Sequence, residues 1–373
     1  MKPATQLILT LSAIATFTAA PAAIVWAIDP LHIFRPKSNT LENLHHLPRH
    51  QNAGLIRSYL SRADFGFDTI VMGTSLSQNF SPLQVQHALN TGRVLKMAMS
   101  GAMPHTQVSV MSRALQETTL KRVIWEINDR TFAWKPVDTI NTNHTFPHYL
   151  YGHWSDLYQY IFNIDNLKTA AESIGLRQAP TGWWTRQGDE WGSWHRGEDH
   201  WHKFREKHWN KHFDAYRAAV AKQVFEPYPT IGAMCDEYPR PELYQGVDLV
   251  AELVRLNPDV VFDFFIPPIS TAFYAHKDPE EFVLRFGLTR YAVEQISPLS
   301  NARVFAFNDV KDIVMDLSLY RDLAHYHPSI NAWIAETIAS GEHMLTTKTI
   351  DEYEATWFSL VRSFEVSDLD NPQ

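Results

Sequence analysis

The chain has one cysteine, no basic run and no internal repeat, and these absences limit the classes of function that the protein could have. Of its 373 residues only Cys235 is a cysteine, so no disulfide can form within the chain. Lys and Arg number 33 against 41 Asp and Glu, for a net charge of −8. Because nucleic-acid binding depends on basic side chains that neutralise phosphates, we expect no nucleic-acid partner. A lone thiol fits a reducing compartment or an envelope protein without disulfide bridges.

An uncharged run of 22 residues, Leu7 to Ile28, follows Lys2 near the start of the chain. As a helix it would extend roughly 33 Å, the thickness of a bilayer core, and Lys2 favours an N-in orientation. We expect residues 1–28 to be a single-pass signal anchor of the inner membrane, with the rest in the periplasm or another extracytoplasmic space. A cleaved signal peptide, with a site near Ala20, and a buried core helix are the alternatives.

The chain beyond this run divides into three further segments. Residues 29–64 are predicted to be a membrane-proximal connector, residues 65–345 an α/β domain, and residues 346–373 a C-terminal tail. Inside the α/β domain, residues 131–241 look like an insertion, because they are unusually rich in Trp and His.

Short β-like runs alternate with helical segments in the α/β domain, which indicates βαβ units and a parallel sheet. We therefore predict a three-layer α/β/α architecture of the flavodoxin-like kind, with the insertion forming an aromatic-rich helical segment. The predicted strands are Thr69–Met72, Val94–Met97, Arg122–Ile127, Val260–Ile266 and Arg303–Phe307, and the predicted helices include Leu83–Asn90, Thr106–Thr118 and Leu243–Leu256.

The first predicted strand runs directly into Gly73-Thr74-Ser75-Leu76. A serine at the carboxyl end of a parallel strand lies where open α/β sheets bind their ligands. The helix that follows would offer backbone N–H groups to an oxyanion. Ser75 is therefore a candidate nucleophile, although Gly and Ser are also ordinary turn and cap residues.

A candidate base lies near the other end of the chain, in Asp322-Leu323-Ala324-His325. The spacing of three residues lets the carboxylate accept from one imidazole nitrogen and leaves the other nitrogen for a serine hydroxyl. His327 is a rival base and also a candidate to bind the substrate. The alternative is a capping Asp322 beside two surface histidines.

Two residues after the second and third predicted strands are candidates for an oxyanion hole. Gly101 would allow a backbone N–H to approach a substrate oxygen, and Asn128 would offer its side-chain amide. The alternatives are an ordinary turn glycine and a turn asparagine.

The insertion carries six of the 12 tryptophans between Trp183 and Trp209. Trp183 and Trp184 are candidates to stack on sugar rings, whereas a small aromatic core is the plainer interpretation. His208 and His212 would share one helix face, which raises a metal site as a third interpretation, but no Glu completes a metalloprotease motif. We expect no metal and no cofactor.

These motifs resemble the SGNH (GDSL-type) hydrolase superfamily, in particular its membrane-anchored envelope branch of polysaccharide O-acetyltransferases and the teichoic-acid D-alanylation protein. The resemblance covers roughly residues 65–130 and 255–340. Gly-Thr-Ser-Leu at Ser75 resembles the block Gly-Asp-Ser-Leu, with Thr74 in place of Asp. Glu-Ile-Asn-Asp at Asn128 resembles Gly-x-Asn-Asp, with Glu126 in place of Gly.

The resemblance implies a serine nucleophile, an Asp322–His325 pair, and an oxyanion hole made by the backbone N–H groups of Ser75 and Gly101 with the Asn128 side chain. It implies a serine-dependent acyl-ester hydrolase or O-acyltransferase acting on an envelope polysaccharide or other acylated carbohydrate. A transferase would take its acyl group from a membrane donor protein. The alternative is a catalytically inactive assembly or binding protein of the same fold.

Overall fold

The computed structural model describes residues 3–35, 49–60, 66–133, 146–175, 198–221, 230–235, 241–275, 277 and 279–370. The chain forms two compact units. The first comprises residues 1–65 and 142–185, and the second comprises residues 66–141 and 186–373. The predicted connector and the insertion therefore do not coincide with the units, since the insertion contributes to both.

A six-stranded sheet organises the second unit. Its strands are β1 (Phe67–Gly73), β2 (Arg93–Ala98), β3 (Arg122–Glu126), β4 (Val261–Ile266), β5 (Ala302–Ala306) and β6 (Met344–Leu345). They pair in the order β2-β1-β3-β4-β5-β6. Only β6, which was not predicted, is antiparallel to its neighbour. The five predicted strands are thus confirmed, and the class is α/β with a mostly parallel sheet.

Sixteen α-helices lie in the described residues. They are α1 (Pro3–Ile28), α2 (Arg49–Leu60), α3 (Pro82–Leu89), α4 (Pro104–Glu117), α5 (Asp129–Phe132), α6 (Tyr158–Ile161), α7 (Ile164–Ser173), α8 (Glu198–Val220), α9 (Ile231–Cys235), α10 (Gln245–Arg255), α11 (Thr271–Ala275), α12 (Pro279–Ile296), α13 (Lys311–Val314), α14 (Pro328–Ser340), α15 (Ile350–Ser363) and α16 (Val366–Asp370).

The central strands are buried on both faces, which explains their continuous apolar runs. Every residue of β3 beyond Arg122 is buried, and so is every residue of β4 beyond Val261. The connection from β1 to β2 passes through α3 and leads towards one edge of the sheet. The later connections, to β3 through α4, to β4 through α10 and to β5 through α12, lead towards the other edge. Right-handed crossovers place these two groups on opposite faces. The packing agrees, because α3 contacts α14 whereas α4 contacts α10 and α10 contacts α12. The arrangement is compatible with a three-layer α/β/α fold.

The first unit is held together by a buried carboxylate at the end of α1. Asp29 accepts hydrogen bonds from the backbone N–H groups of Ile33, Phe34 and Arg35 and from the Tyr160 hydroxyl at 2.9 Å. Helix α1 also packs against α6 and α7. Among the residues that the structure describes, no helix combines the length and apolar character needed to cross a bilayer.

The predicted C-terminal tail contains a packed helix. In α15, Trp357 and Val361 are buried, and the Trp357 ring stacks on Phe286 of α12 with the ring centroids 3.6 Å apart. Residues 350–363 therefore extend the α/β unit rather than trail from it. The amphipathic spacing of this helix is the signal that would have placed it in the core.

Candidate active site

Ser75 lies at the carboxyl end of β1, as the strand pattern predicted. The strand ends at Gly73, and a short 3₁₀ helix from Ser75 to Ser77 follows at once. Position 73 favours glycine, because a Cβ there would lie 2.7 Å from the Cβ atom of Glu126, closer than such atoms approach. The Ser75 side chain thus leaves the sheet at a tight turn, while Thr74 and Ser77 on either side of it are buried.

Ser75, His325 and Asp322 form a continuous hydrogen-bonded chain. Ser75 Oγ lies 2.9 Å from His325 Nε2, although the two residues are 250 positions apart in the sequence. His325 Nδ1 lies 2.8 Å from Asp322 Oδ2. The carboxylate therefore accepts from Nδ1–H, which leaves Nε2 as an acceptor facing the serine hydroxyl. This is the arrangement of nucleophile, base and orienting carboxylate that serine catalysis uses.

A tight loop sets the Asp322–His325 geometry. Asp322 Oδ1 accepts from the backbone N–H groups of Ala324 and His325, both at 2.9 Å. The loop closes where Arg321 N–H donates to the His325 carbonyl at 2.8 Å. Burial by itself raises the pKa of the Asp322 carboxyl, but His325 and the two N–H donors outweigh it, so this pKa lies well below its ordinary value.

Contacts from the loop after β4 fix the histidine loop in place. Tyr320 Oη donates to the Pro268 carbonyl at 3.0 Å, and Ser270 Oγ donates to the Leu323 carbonyl at 2.6 Å. Both hydroxyls are buried, so each bond satisfies a group that would otherwise be unpaired. The sheet thereby positions Asp322 and His325 at the same edge as Ser75.

The two residues expected to contribute to the oxyanion hole belong to the loops that follow β2 and β3. Gly101 follows β2 with a φ of 61°, which a side chain would strain. Two residues earlier, Met99 N–H donates to the Gly73 carbonyl at 2.9 Å and ties the β1 and β2 loops together. The loop that carries Gly101 is therefore joined to the end of the strand that precedes Ser75.

The Asn128 amide has protein partners on both of its hydrogens. Its Nδ2 donates to Glu126 Oε1 at 2.7 Å and to Thr74 Oγ1 at 3.1 Å. Its Oδ1 accepts from Arg130 N–H, so Asn128 is the N-cap of α5. An oxyanion role for Asn128 thus requires the longer bond, to Thr74, to be exchanged for a bond to substrate.

His327, the rival base, points to other partners. Its Nε2 lies 3.0 Å from Glu198 Oε1, its Nδ1 lies 2.9 Å from Ser329 Oγ, and Trp201 packs edge-on at 5.1 Å. The structure therefore brings His325 and not His327 to Ser75. Trp183 and Trp184, the predicted sugar platforms, lie outside the described residues.

Helix α8, which belongs to the insertion, packs on the histidine loop. Arg205 donates from Nε to the Tyr320 carbonyl at 3.2 Å, and the Arg321 guanidinium lies 4.2 Å from the Phe204 ring centroid.

Burial lowers the pKa of His208, the Asp322 charge opposes this, and the His208 Nε2 atom lies 3.0 Å from Tyr216 Oη. Within the described part of the chain, no group of three or more His, Cys, Asp or Glu side chains could hold a metal ion.

Sequence reasoning missed two groups that hold the Ser75 turn. The buried Lys96 donates from Nζ to the carbonyls of Gln78 and Phe80, at 2.6 and 2.8 Å. Asn331 of α14 donates to the Leu76 carbonyl at 2.9 Å. Neither residue belongs to a recognisable motif, and a charged residue inside an otherwise apolar strand was the only signal for Lys96.

No protein-family model matches the chain, and no curated protein matches it in sequence.

Proposed function

We propose that the protein is a serine-dependent acyl-ester hydrolase or O-acyltransferase. The observation that carries the proposal is the pair of hydrogen bonds Ser75 Oγ–His325 Nε2 and His325 Nδ1–Asp322, at 2.9 and 2.8 Å. Residues from opposite ends of the domain form this chain at the carboxyl edge of a parallel sheet, where ligands of such sheets bind.

The geometry supports a two-step mechanism. His325 Nε2 takes the proton of Ser75 as Oγ attacks the acyl carbonyl, and the imidazolium is stabilised by Asp322. The tetrahedral oxyanion is held by the N–H groups of Ser75 and Gly101 and by the Asn128 amide. His325 then returns the proton to the leaving alcohol. Water or a sugar hydroxyl attacks the acyl-enzyme with His325 again as base, and this releases the acid or the new ester together with free Ser75.

The strand order supports the finer part of the proposal, a flavodoxin-like member of the SGNH type. The order β2-β1-β3-β4-β5 is the doubly wound order of flavodoxin-like folds. The candidate nucleophile follows the first strand and the Asp-x-x-His pair follows the last parallel one, which is the order in which the resembling motifs occur.

An envelope location and a carbohydrate ester as substrate complete the proposal. The support is the uncharged run from Leu7 to Ile28 behind Lys2, which has the length of a membrane anchor. The half-buried Phe204 ring, which α8 places near the histidine loop, is of the kind that stacks on sugar rings.

One observation favours a second candidate, an inactive binding or assembly protein of the same fold. Both hydrogens of the Asn128 amide are already bonded to Glu126 and Thr74, so the oxyanion hole is incomplete until one bond is exchanged. Fold alone does not decide between the two candidates.

Turnover of a small acyl ester by the purified full chain tests the proposal. We expect Ser75→Ala to remove measurable hydrolysis while circular dichroism and urea unfolding stay near those of the parent. Ser81→Ala is the matched control, because Ser81 caps α3 nearby and its loss costs only about 1 kcal/mol of stability. Hydrolysis by Ser75→Ala at the parental rate would refute the assignment of the nucleophile.

A further inference from the structure

Glu126, the last residue of β3, places a fully buried carboxylate beneath the Ser75 turn. It accepts four hydrogen bonds. Oε2 accepts from Thr74 N–H at 2.9 Å and from the Ser77 hydroxyl, while Oε1 accepts from the Thr74 hydroxyl at 2.6 Å and from Asn128 Nδ2 at 2.7 Å. Within the described part of the chain, all four donors are neutral groups.

These donors are the immediate neighbours of the reacting groups. Thr74 and Ser77 flank Ser75 on both sides in the sequence, so one carboxylate fixes both ends of its 3₁₀ turn. The same carboxylate takes the shorter of the two Asn128 amide bonds and thereby sets the direction of the other N–H. Glu126 thus contacts the residue before Ser75, the last residue of its 3₁₀ turn and the Asn128 amide.

A second buried carboxylate in the same sheet shows a different arrangement. Asp263 of β4 is paired with two guanidinium groups, Arg303 at 2.7 Å and Arg122 at 3.5 Å. Burying a carboxylate is costly unless it is paired or fully hydrogen-bonded. Asp263 meets this requirement with the two arginines. Glu126 meets it with uncharged donors from the Ser75 turn and from Asn128.

We infer that Glu126 is a positioning residue, whose carboxylate holds the Ser75 turn and the Asn128 amide in the reactive arrangement. The inference rests on the proposed function. It also accounts for both departures from the resembling motifs. Those motifs have Asp before the serine, where this chain has Thr74. They have glycine where this chain has Glu126, and the Glu126 carboxylate contacts the turn that carries Ser75.

The first test compares Glu126→Gln with Asp263→Asn. The new amide of Glu126→Gln turns a donor towards groups that themselves donate, so the turn shifts. We expect kcat for a small acyl ester to fall about 100-fold, as misplacement of a reacting group does, while KM changes less than about threefold. Asp263→Asn should lower the stability in urea with little change in kcat. Equal kcat losses in the two variants, or a kcat of Glu126→Gln within threefold of the parent, would overturn the inference.

The second test moves the carboxylate back to position 74. Thr74→Asp alone would set two carboxylates against each other in a buried site, and Glu126→Gly alone would remove the carboxylate that accepts from the Ser75 turn, so each should reduce kcat. The double variant Thr74→Asp/Glu126→Gly should recover at least about tenfold over Glu126→Gly. A double variant no better than the worse single variant would mean that the carboxylate does not position the turn.

A crystal structure of Glu126→Gln separates this inference from the proposed function. Should the parent hydrolyse no ester, the enzyme proposal fails, but the Ser75 Oγ–His325 Nε2 distance still reports on positioning. We expect it to lengthen from 2.9 Å to beyond hydrogen-bond range. An unchanged distance with unchanged neighbours would overturn the inference whatever the activity.

Discussion

Two carboxylates support the Ser75–His325 pair, and their surroundings differ. Asp322 belongs to a loop and accepts from the imidazole it orients and from two N–H groups of its own loop. Glu126 ends a buried strand and accepts from residues 49 and 52 positions earlier and from Asn128. Asp322 bonds within its own loop and orients the base. Glu126 joins segments that are distant in the sequence and holds the turn that carries the nucleophile. A serine site on a sheet edge needs both kinds of support, because the base and the nucleophile arrive on different loops.

The largest expected effect comes from the carboxylate that acts on the base. Asp322→Asn replaces the acceptor of the Nδ1 proton, which favours the wrong imidazole tautomer. We expect kcat for a small ester to fall by about 10³–10⁴-fold, more than the roughly 100-fold of Glu126→Gln. Steady-state kinetics of both variants in one assay check the order. A larger kcat loss for Glu126→Gln than for Asp322→Asn would contradict this order. It would mean that the position of the Ser75 turn matters more for turnover than the orientation of His325.

A smaller effect should appear in stability at acid pH. Because the pKa of Asp322 is depressed in the folded state, its contribution is complete above the ordinary value of 3.8 and is lost as the pH falls towards the folded pKa. We expect the parent to exceed Asp322→Asn by about 2 kcal/mol in free energy of unfolding at pH 6. In urea titrations the difference should stay near its full size down to about pH 5 and should shrink as the pH falls from about 4 to about 2.5. A difference that stays constant over this range would mean that the Asp322 charge is not stabilised in the folded state.

The parts of the fold that depend on local pattern were predictable. The strands β1 to β5 are apolar because both faces are buried, and α10 has a buried stripe that includes Val247, Val250 and Val254. The strand order then places Ser75 and His325 on one edge. By contrast, the two residues of β6 are too few to show any period.

The rest of the site depends on contacts that no local pattern records. The role of Glu126 depends on donors about 50 residues away, and a sequence shows such a residue only as a departure from a motif. The choice between His325 and His327 also needed coordinates, because the two histidines are only two positions apart and either could face a hydroxyl. The insertion was predicted to form a helical segment, and α8 lies within it. The contact of α8 with the loop around Tyr320 was not predicted, since Arg205 bonds to main-chain carbonyls there.

Reaction of the full chain with a fluorophosphonate probe, followed by mass spectrometry to locate the adduct, tests the pairing of Ser75 with His325 most directly. We predict one adduct on Ser75 in the parent, a labelling rate lowered by at least about 10³-fold in His325→Gln, and a rate within about threefold of the parent in His327→Gln. An adduct on another residue, or a Ser75 labelling rate that does not change in His325→Gln, would contradict the account.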